Sequence, residues 1–410
     1  MDLILRNARL ASDPGRLTDI GIERGRIVAL APQLAADGEE LDVAGRLVSP
    51  GFVETHLHLD KACILERCRA APGDLGAAIR EVTSLKAGFT AQDVYERARR
   101  TLERCILNGT THVRAHLEVD PGIGMRGLEG VLPLVRDYAW AVDLEICIFP
   151  QEGMLNNPGT EALMIAGLKG GGTVVGACPY TDTDPHGQID RVFALAREFG
   201  VDVDMHLDFD LDPAEMDLTY VCRRAEELGY GGRVAAGHVT KLSVLERGAL
   251  SAAAARLRSA GVALTVLPST DLFLMGRDGP HRGARGVTPA HRLLEDGVNC
   301  SLATNNVLNP FTPFGDGSLV RMANLYANVC RAASADELGE CFAMITTRAA
   351  RLMNLRGYGL AAGNDADLVV LDCASPEAAV RELAPVLYAF KRGRRTVTRP
   401  PAELHRPRPR

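Results

Sequence analysis

The stretch RLVSPGFVETHLHLDK, residues 46–61, determines how the rest of the chain is interpreted. Its proline–glycine pair is a turn signal, because proline fixes φ and glycine relaxes it, and an apolar strand begins at Phe52. His56 and His58 stand two residues apart in that strand, so both imidazoles project from one face. Two imidazoles at a strand end supply half of a metal site, although two hydrogen-bonded core histidines fit the same short pattern.

The composition is typical of a globular protein with a large core. The chain has 410 residues, of which 46% are hydrophobic and 24% are charged, and this length suffices for one large domain and a smaller one. The formal net charge of −6 argues against nucleic acid as a main partner. No apolar run approaches the ~20 residues that a membrane span needs, so a membrane is not an expected partner either.

The cysteines and the termini indicate the compartment. Ten cysteines are present without a CxxC pair, and several lie in apolar, strand-like runs, which favours reduced, buried thiols over a disulfide framework. The amino terminus has neither a basic region nor a long apolar segment, so no signal peptide is expected and the protein is predicted to be cytoplasmic. The basic runs at 391–395 and 406–410 are expected to be solvated.

Two kinds of pattern divide the chain. Residues 2–50 are short alternating runs broken by Gly, Pro or Asp, which is typical of hairpin-rich β structure. From Gly51 onward, short apolar runs alternate with long helical stretches. The predicted strands are 52–58, 111–119, 144–151, 173–180, 201–209, 233–239, 262–269 and 298–306. Eight strands, each followed by a helix, favour a closed barrel over an open doubly wound sheet, because no strand is followed by a glycine-rich dinucleotide loop.

The pattern returns to β character after Met353, in residues 359–372 and 384–397. The predicted fold class is therefore α/β, with a (β/α)₈ TIM-like barrel inserted in a small composite β-sandwich domain built from both termini. We expect residues 1–50 and 360–410 to form the small domain and residues 51–359 to form the barrel.

Catalytic groups of a (β/α)₈ barrel gather at the carboxyl ends of its strands. Five of the ten histidines fall at these predicted ends, which a chance scatter of core histidines would not favour. The polar residues there are His56, His58, Asp60 and Lys61; His116, Glu118 and Asp120; Gln151 and Glu152; Asp182; His206, Asp208 and Asp210; His238; Asp271; and Asn305 and Asn306. We therefore predict a metal or catalytic site at this rim.

Three other histidines are not expected to take part in the site. His112 is expected to be structural, and His281 and His291 are expected to face solvent. Residues 271–283 form a glycine-rich, charged loop over the rim, in which Arg277 is either an anion contact or a solvated charge.

Several motifs make the chain resemble the amidohydrolase superfamily, most closely its cytosine deaminase-like branch, which includes N-isopropylammelide hydrolases. The resemblance covers nearly the whole chain. The motifs are PGFVETHLHLD (50–60), FPQEGML (149–155), VVGACP (174–179), the strands of His206 and His238, NPFTPFGDGSL (309–319) and AAGNDADLVVLD (361–372). This resemblance implies one divalent metal ion (Zn or Fe), and hydrolysis of a C–N bond in a small nitrogen heterocycle by metal-activated water.

The resemblance also implies roles for single residues. The implied metal ligands are His56, His58, His206 and, at the position of the family's aspartate, Asn305. His238 would lie beside the activated water. Gln151 would bond the edge of the heterocycle, because an amide offers both a donor and an acceptor.

Two departures from the family pattern concern the proton carriers. Phe209 stands where the family has a glutamate, and Asn305 and Asn306 stand where it has aspartates. Asparagine can offer a carbonyl oxygen to a metal but brings no charge and cannot act as a base. A site of three histidines therefore keeps the full +2 charge, which favours an anionic substrate.

The proton carriers must then lie elsewhere at the rim. Histidine is the side chain suited to proton transfer at physiological pH, which favours His238, and Asp208 shares a face with His206 in an ideal strand, so these two are the predicted catalytic residues. Lys61 and Asn306 are predicted substrate contacts. Lys61 either holds an anionic group of the substrate or is a charged side chain at the barrel rim that does not bind the substrate.

The predicted function is that of a metal-dependent hydrolase that cleaves a C–N bond of a small cyclic amide, amidine or amino-heterocycle. Two alternatives stay open. One is a divergent amidohydrolase that uses a different base or no metal, and the other is a catalytically silent, ligand-binding barrel. Many (β/α)₈ hydrolases self-associate, and the sequence leaves a homo-oligomer open.

Overall fold

The computed structural model describes residues 1–35, 37–68, 73–277 and 283–405. Within these ranges the chain forms two eight-stranded sheets. The strands are β1 (Leu3–Leu10), β2 (Asp13–Glu23), β3 (Arg26–Ala31), β4 (Glu39–Asp42), β5 (Leu47–Pro50), β6 (Phe52–Leu57), β7 (Thr110–Glu118), β8 (Asp143–Phe149), β9 (Val174–Ala177), β10 (Asp202–Leu207), β11 (Val234–His238), β12 (Val262–Val266), β13 (Cys300–Leu302), β14 (Leu368–Leu371), β15 (Val386–Lys391) and β16 (Arg394–Thr398).

The helices connect and cover these strands. They are α1 (Leu75–Lys86), α2 (Ala91–Leu107), α3 (Arg126–Asp137), α4 (Thr160–Lys169), α5 (Pro185–Phe199), α6 (Asp217–Leu228), α7 (Arg247–Ala260), α8 (Pro268–Leu274), α9 (Ala290–Glu295), α10 (Leu319–Cys330), α11 (Ala335–Ala343), α12 (Thr347–Leu352) and α13 (Pro376–Arg381). Among the described residues, no helix combines the length and the apolarity that crossing a membrane requires.

Helix α2 illustrates how the sequence specifies a helix that covers the barrel. Its N-cap is Thr90, whose side chain accepts a hydrogen bond from the backbone N–H of Asp93. Val94, Ala98 and Leu102 recur at helical spacing and are fully buried, so one face packs on the barrel. The opposite face is charged and solvated.

The barrel consists of β6 to β13 in chain order, and neighbouring strands are parallel. It closes between its first and last strands through main-chain hydrogen bonds. The N–H of His58 donates to the carbonyl of Asn305 at 2.8 Å, and the N–H of Asn305 donates to the carbonyl of His56 at 2.9 Å. The predicted fold class is confirmed.

The second sheet joins the two ends of the chain. Its path is β16-β15-β14-β5-β1-β2-β3, with β4 beside β1. The central junction is the antiparallel pair of β5 and β14, in which Leu47 faces Leu371 and Pro50 faces Leu368. The proposed domain limits at 50/51 and 359/360 stay a prediction.

The strands end earlier than the apolar runs indicated, because the polar residues after them leave the strand conformation. Strand β13 covers only Cys300–Leu302, and the N–H of Thr304 then donates to the carboxylate of Glu54 at 3.0 Å. Asn305 has a positive φ of 64°. The rim is therefore built from turns, which direct side chains into the mouth of the barrel.

Buried charges hold the small sheet against the barrel near His112. The ammonium of Lys391 donates to Asp143 at 2.7 Å and to Asp367 at 2.6 Å, and the ring of His112 lies 3.5 and 3.6 Å from the same two carboxylates. Burial and the charge of Lys391 lower the pKa of His112 to about 4. These contacts agree with the structural role expected for His112.

Three other expectations can be compared with the structure. All ten cysteines are free thiols, as predicted. The expectation that His291 faces solvent is wrong, since this residue lies on α9, is half-buried and is hydrogen-bonded to the hydroxyl of Tyr326 at 2.9 Å. The expectation that the basic run at 391–395 is solvated is wrong for Lys391, which is buried. His281 and the basic run at 406–410 lie outside the described residues.

Replacing His112 with glutamine is expected to flatten the pH dependence of stability. Its pKa is 6.5 in an unfolded chain and about 4 in the folded protein, so folding favours the neutral ring. This stabilisation is complete above pH 6.5 and is lost as the pH falls toward 4; by linkage it amounts to about 3 kcal/mol. Urea unfolding at a series of pH values measures it, and the free energy of unfolding should fall further in the wild type than in the variant.

His186→Gln is the matched control, because the side chain of His186 is 55% exposed. This variant should follow the wild-type curve. If His112→Gln and the wild type gave parallel curves between pH 6.5 and 4, the assignment of the buried neutral ring would be wrong.

Candidate active site

Residues at the carboxyl ends of the barrel strands line a small, partly open cavity. The lining includes His58, Lys61, Gln151, His206, His238, Asn305 and Asn306, seven of the nine residues to which the sequence gave site roles. The apolar part of the wall comes from Phe209, Phe311 and Leu75, beside Tyr180.

Three imidazoles converge beside this cavity. The Nε2 atom of His206 lies 3.0 Å from Nε2 of His56 and 3.1 Å from Nε2 of His58. Two nitrogens that each lie about 2.0–2.1 Å from a tetrahedral Zn²⁺ are roughly 3.3–3.4 Å apart, so His206 lies at a ligand-like separation from each of the other two. Among the described residues, His56, His206 and His238 place ring nitrogens within 4.8 Å of one another, and His58 joins them through its contact with His206. The side chains of all three are almost fully buried.

The three rings are held as neutral donors. Burial, as the largest effect, lowers the pKa of His56, His58 and His206 well below the ordinary value, and neighbouring positive groups lower it further. Nδ1 of His58 lies 3.1 Å from the carbonyl oxygen of His116, which only accepts, so Nδ1 carries the proton and Nε2 keeps its lone pair. The ring of Phe149 stacks on that of His206 at 4.7 Å between centroids.

The donor set fits a divalent cation. Besides the three imidazoles, the amide oxygen of Asn305 is buried and has no hydrogen-bond partner among the described residues. An unpartnered buried acceptor is costly in an apolar site, and a cation would satisfy it. Three nitrogens and one oxygen are a common set for Zn²⁺ and other transition metals.

Two other clusters of acids and histidine contain a lysine in place of a cation. Lys391 lies among His112, Asp143 and Asp367. Lys86 donates to Glu118, Asp120 and Glu152. In each cluster a lysine ammonium already occupies the place among the acids that a metal ion would take.

His238 faces the cavity and is oriented by a buried acid. Its Nδ1 lies 2.6 Å from Oδ1 of Asp271, and its ring stacks on Phe209 at 3.7 Å between centroids. Its other nitrogen, Nε2, lies 3.5 Å from the amide nitrogen of Asn305. Burial raises the pKa of Asp271, and the neighbouring imidazole of His238 opposes this shift.

The contact between Asp271 and His238 is not predicted by the sequence. The sequence indicates only that Asp271 is a polar residue near the end of the seventh barrel strand, which is β12. The available signal was its position, because an acid directly after a barrel strand points toward the rim. The sequence gives no sign that α8 turns this side chain onto His238.

The carboxylate of Asp208 does not line the cavity. Its two oxygens accept hydrogen bonds from the N–H groups of Asp217 and Leu218 at 2.9 and 3.0 Å, at the start of α6. Strand β10 ends at Leu207 and Asp208 has a positive φ of 48°, so the alternation of faces that related it to His206 ends before it. Burial raises the pKa of Asp208 to about 6.

Lys61 and Gln151 lie side by side in the cavity wall. The ammonium of Lys61 donates to Glu118 at 2.7 Å and to the amide oxygen of Gln151 at 3.4 Å. The amide nitrogen of Gln151 lies 3.5 Å from the sulfur of Cys178. Burial lowers the pKa of Lys61, but the charges of Glu118 and Asp60 outweigh it, and the pKa is raised overall. Lys61 is therefore a fixed cation in the wall.

Asn306 and Arg277 differ in their relation to the cavity. Asn306 lines it, and its amide oxygen accepts a hydrogen bond from Asn309 at 2.7 Å. Arg277 is not part of the lining, and its guanidinium donates to the carbonyl of Phe273 at 3.1 Å.

A closed (β/α)₈ barrel with convergent imidazoles at the carboxyl end of its strands defines a metal-dependent barrel hydrolase. The model of the amidohydrolase family matches residues 142–397, more than half of the chain, and the chain belongs to that family. It is a hydrolase of carbon–nitrogen bonds other than peptide bonds. The family generally uses a divalent metal.

Two relatives extend this assignment over the full length. The chain is 29% identical over 402 residues to N-isopropylammelide isopropyl amidohydrolase of Pseudomonas sp. strain ADP, covering 96% of each chain. It is also similar to the crystal structure of 5-methylcytosine deaminase from Klebsiella pneumoniae liganded with 5-fluorocytosine, with a TM-score of 0.93, 29% identity and coverage of 98% and 99% of the two chains. The predicted cytosine deaminase-like branch is confirmed.

Replacing His206 with alanine is expected to abolish stoichiometric metal binding. Its Nε2 lies within 3.1 Å of the Nε2 atoms of His56 and His58. The loss of His206 therefore removes the nitrogen that is close to both of these proposed ligands. Inductively coupled plasma mass spectrometry of purified protein measures the metal, with about one divalent ion per chain expected in the wild type.

His186→Ala removes an exposed histidine and should keep the wild-type metal content. Far-ultraviolet circular dichroism checks that both variants are folded. Full occupancy in His206→Ala, or a wild type that stays metal-free after dialysis against zinc, would rule out the proposed donor set.

Proposed function

We propose that this protein hydrolyses a C–N bond of a small cyclic amide, amidine or amino-heterocycle, with one divalent ion, Zn or Fe, held by His56, His58, His206 and the amide oxygen of Asn305. The observation that carries the proposal is the position of the buried Nε2 of His206, 3.0 Å from that of His56 and 3.1 Å from that of His58, beside the cavity. When bound, the ion supplies a Lewis acid that lowers the pKa of a water molecule.

His238 is the proposed proton carrier. Asp271 accepts from Nδ1 of His238, so the neutral ring has an unprotonated Nε2 on the side of the cavity. In that tautomer Nε2 accepts a proton from the attacking water and later donates it to the leaving nitrogen. Asp271 acts as a positioning residue, because it fixes the tautomer and stabilises the imidazolium that forms. This pair substitutes for the family's aspartate, which is Asn305 here.

Gln151 and Lys61 are the proposed ring contacts, with Asn306 beside them. The ammonium of Lys61 only donates, so the amide oxygen of Gln151 faces it and the amide nitrogen faces Cys178. This orientation leaves Gln151 with one lone pair and one N–H for the ligand. A ring edge that combines a carbonyl and a nitrogen is complementary to that pattern.

We propose a cytoplasmic protein with a small-molecule partner. Ten free thiols, most of them buried, suit a reducing compartment. The negative net charge does not favour a nucleic acid partner. Self-association is left to measurement by light scattering.

Replacing Asp271 with asparagine is expected to lower kcat by about 10²–10⁴, because the amide no longer fixes the productive tautomer of His238. The matched control is Asp208→Asn, which keeps an acceptor at the start of α6 and should stay within about threefold of wild type. Steady-state kinetics with thermal unfolding as a folding check compares the two. If Asp208→Asn lost activity and Asp271→Asn kept it, Asp208 would be the carrier.

A library of small nitrogen rings tests the function itself. Zinc-loaded and iron-loaded wild type is incubated with cyclic amides, amidines and amino-heterocycles, and His206→Ala is the blank. Ammonia release reports deamination, and a mass gain of one water reports ring opening. Hydrolysis of any of these compounds by the wild type alone supports the proposal. Ligand-induced stabilisation without hydrolysis would instead favour the silent, ligand-binding barrel.

A further inference from the structure

The charges at the cavity surface bear on the substrate class. Lys61 is the sole lysine, arginine, aspartate or glutamate among the described residues that line the cavity. Asn305 and Asn306 provide two amides where strand β13 leads into the rim. A ligand in this cavity therefore contacts one fixed cation and neutral donors, without a carboxylate in the described wall.

From this we infer that the substrate binds as an anion, in the form of a planar ring whose negative charge is spread over an N–C–O edge. A cyclic imide or ureide in its conjugate-base form has this chemistry. The inference rests on the proposed function, because it concerns the same cavity, and it specifies the charge that the cavity selects.

Lys61 has the donor capacity that such a ligand needs. An ammonium carries three N–H donors, and the described residues supply acceptors for two of them, Glu118 and Gln151. Glu118 also accepts from Lys86, which in turn pairs with Asp120 and Glu152. The third donor of Lys61 is therefore available for a negatively charged oxygen at short range, where a charge-assisted hydrogen bond is strongest.

The metal side of the cavity favours the same charge. The three imidazoles are neutral ligands, and Asn305 adds no charge, so a bound divalent ion keeps its +2 charge at the cavity surface. Two buried acids lie behind the ligands. Oδ2 of Asp204 accepts from Arg114 at 2.8 Å while its Oδ1 lies 3.9 Å from Nδ1 of His56, and Asp271 is bonded to His238 at 2.6 Å.

The walls favour a flat ring. Phe209 is stacked on His238, and Tyr180 lies 6.1 Å from Phe209 in an edge contact. Phe311 lies on the side of Lys61, with its ring centroid 5.9 Å from the ammonium. Aromatic surfaces at the wall suit a delocalised ring better than a flexible aliphatic anion.

Two ring compounds of nearly equal size allow the effect of ligand charge on binding to be measured apart from the effect of ligand shape. Barbituric acid is an anion at neutral pH, whereas uracil is neutral, and both have the N–C–O edge. Isothermal titration calorimetry of the zinc-loaded protein measures each dissociation constant, and mass spectrometry checks that neither ring is consumed. We expect barbiturate to bind about tenfold more tightly or better, the effect of a hydrogen bond to a charged group.

The variants assign that preference to the cavity. Lys61→Met should weaken barbiturate binding about tenfold while uracil binding changes by less than about threefold. Asn305→Asp adds a negative charge at the rim and should reduce or remove the preference. Lys241→Met is the matched control, since Lys241 pairs with Asp210 at 3.2 Å outside the cavity lining, and it should behave as wild type.

The outcomes separate this inference from the proposed function. Equal or tighter binding of uracil by the wild type would overturn the inference, and so would a preference for barbiturate that Lys61→Met leaves intact. Binding of neither ring would overturn it as well. In each of these cases, hydrolysis of a neutral ring in the library assay would leave the proposed function standing.

Discussion

The closure of the barrel is the constraint on which the site depends. Two main-chain hydrogen bonds, from His58 to Asn305 and from Asn305 to His56, join the first strand to the last. The residues of this closing pair are the ones whose side chains meet at the proposed metal position. Because the bonds are main-chain bonds, the register of closure fixes these side chains relative to one another whatever their chemistry. His206 is brought to them by the series of parallel strands from β6 to β10.

Layers of buried polar contacts then support the rim. His58 is oriented by the carbonyl of His116, and His238 by the carboxylate of Asp271. Each contact is made by a group that only accepts, so each fixes the tautomer of its histidine and leaves the opposite nitrogen for the cavity. Phe149 and Phe209 pack on the rings and exclude water from them. Ligand geometry and proton handling therefore depend on residues one step removed from the cavity.

Much of this arrangement could be predicted from the sequence, because periodicity and strand ends are local signals. The eight strand positions and the histidines His56, His58 and His206 followed from spacing, strand order and family resemblance. What failed was extrapolation beyond the end of a strand. Asp208 was assigned to the face of His206 by alternation, yet β10 ends one residue earlier and the side chain caps α6. Asp271 lies on α8, and its contact with His238 on β11 is a tertiary contact that no local pattern encodes.

Asn305 shows how the chemistry of such a site can change while the fold stays constant. Its backbone lies in the left-handed region, with φ of 64°, which asparagine and aspartate both tolerate better than most residues. Its contribution to barrel closure uses only main-chain atoms. An exchange between the acid and the amide at this position therefore alters neither the turn nor the closing hydrogen bonds. It alters the charge beside the proposed metal position and removes a base. In the proposed function the His238–Asp271 pair then carries the proton, and the charge of the substrate that the cavity accepts changes with the residue at position 305.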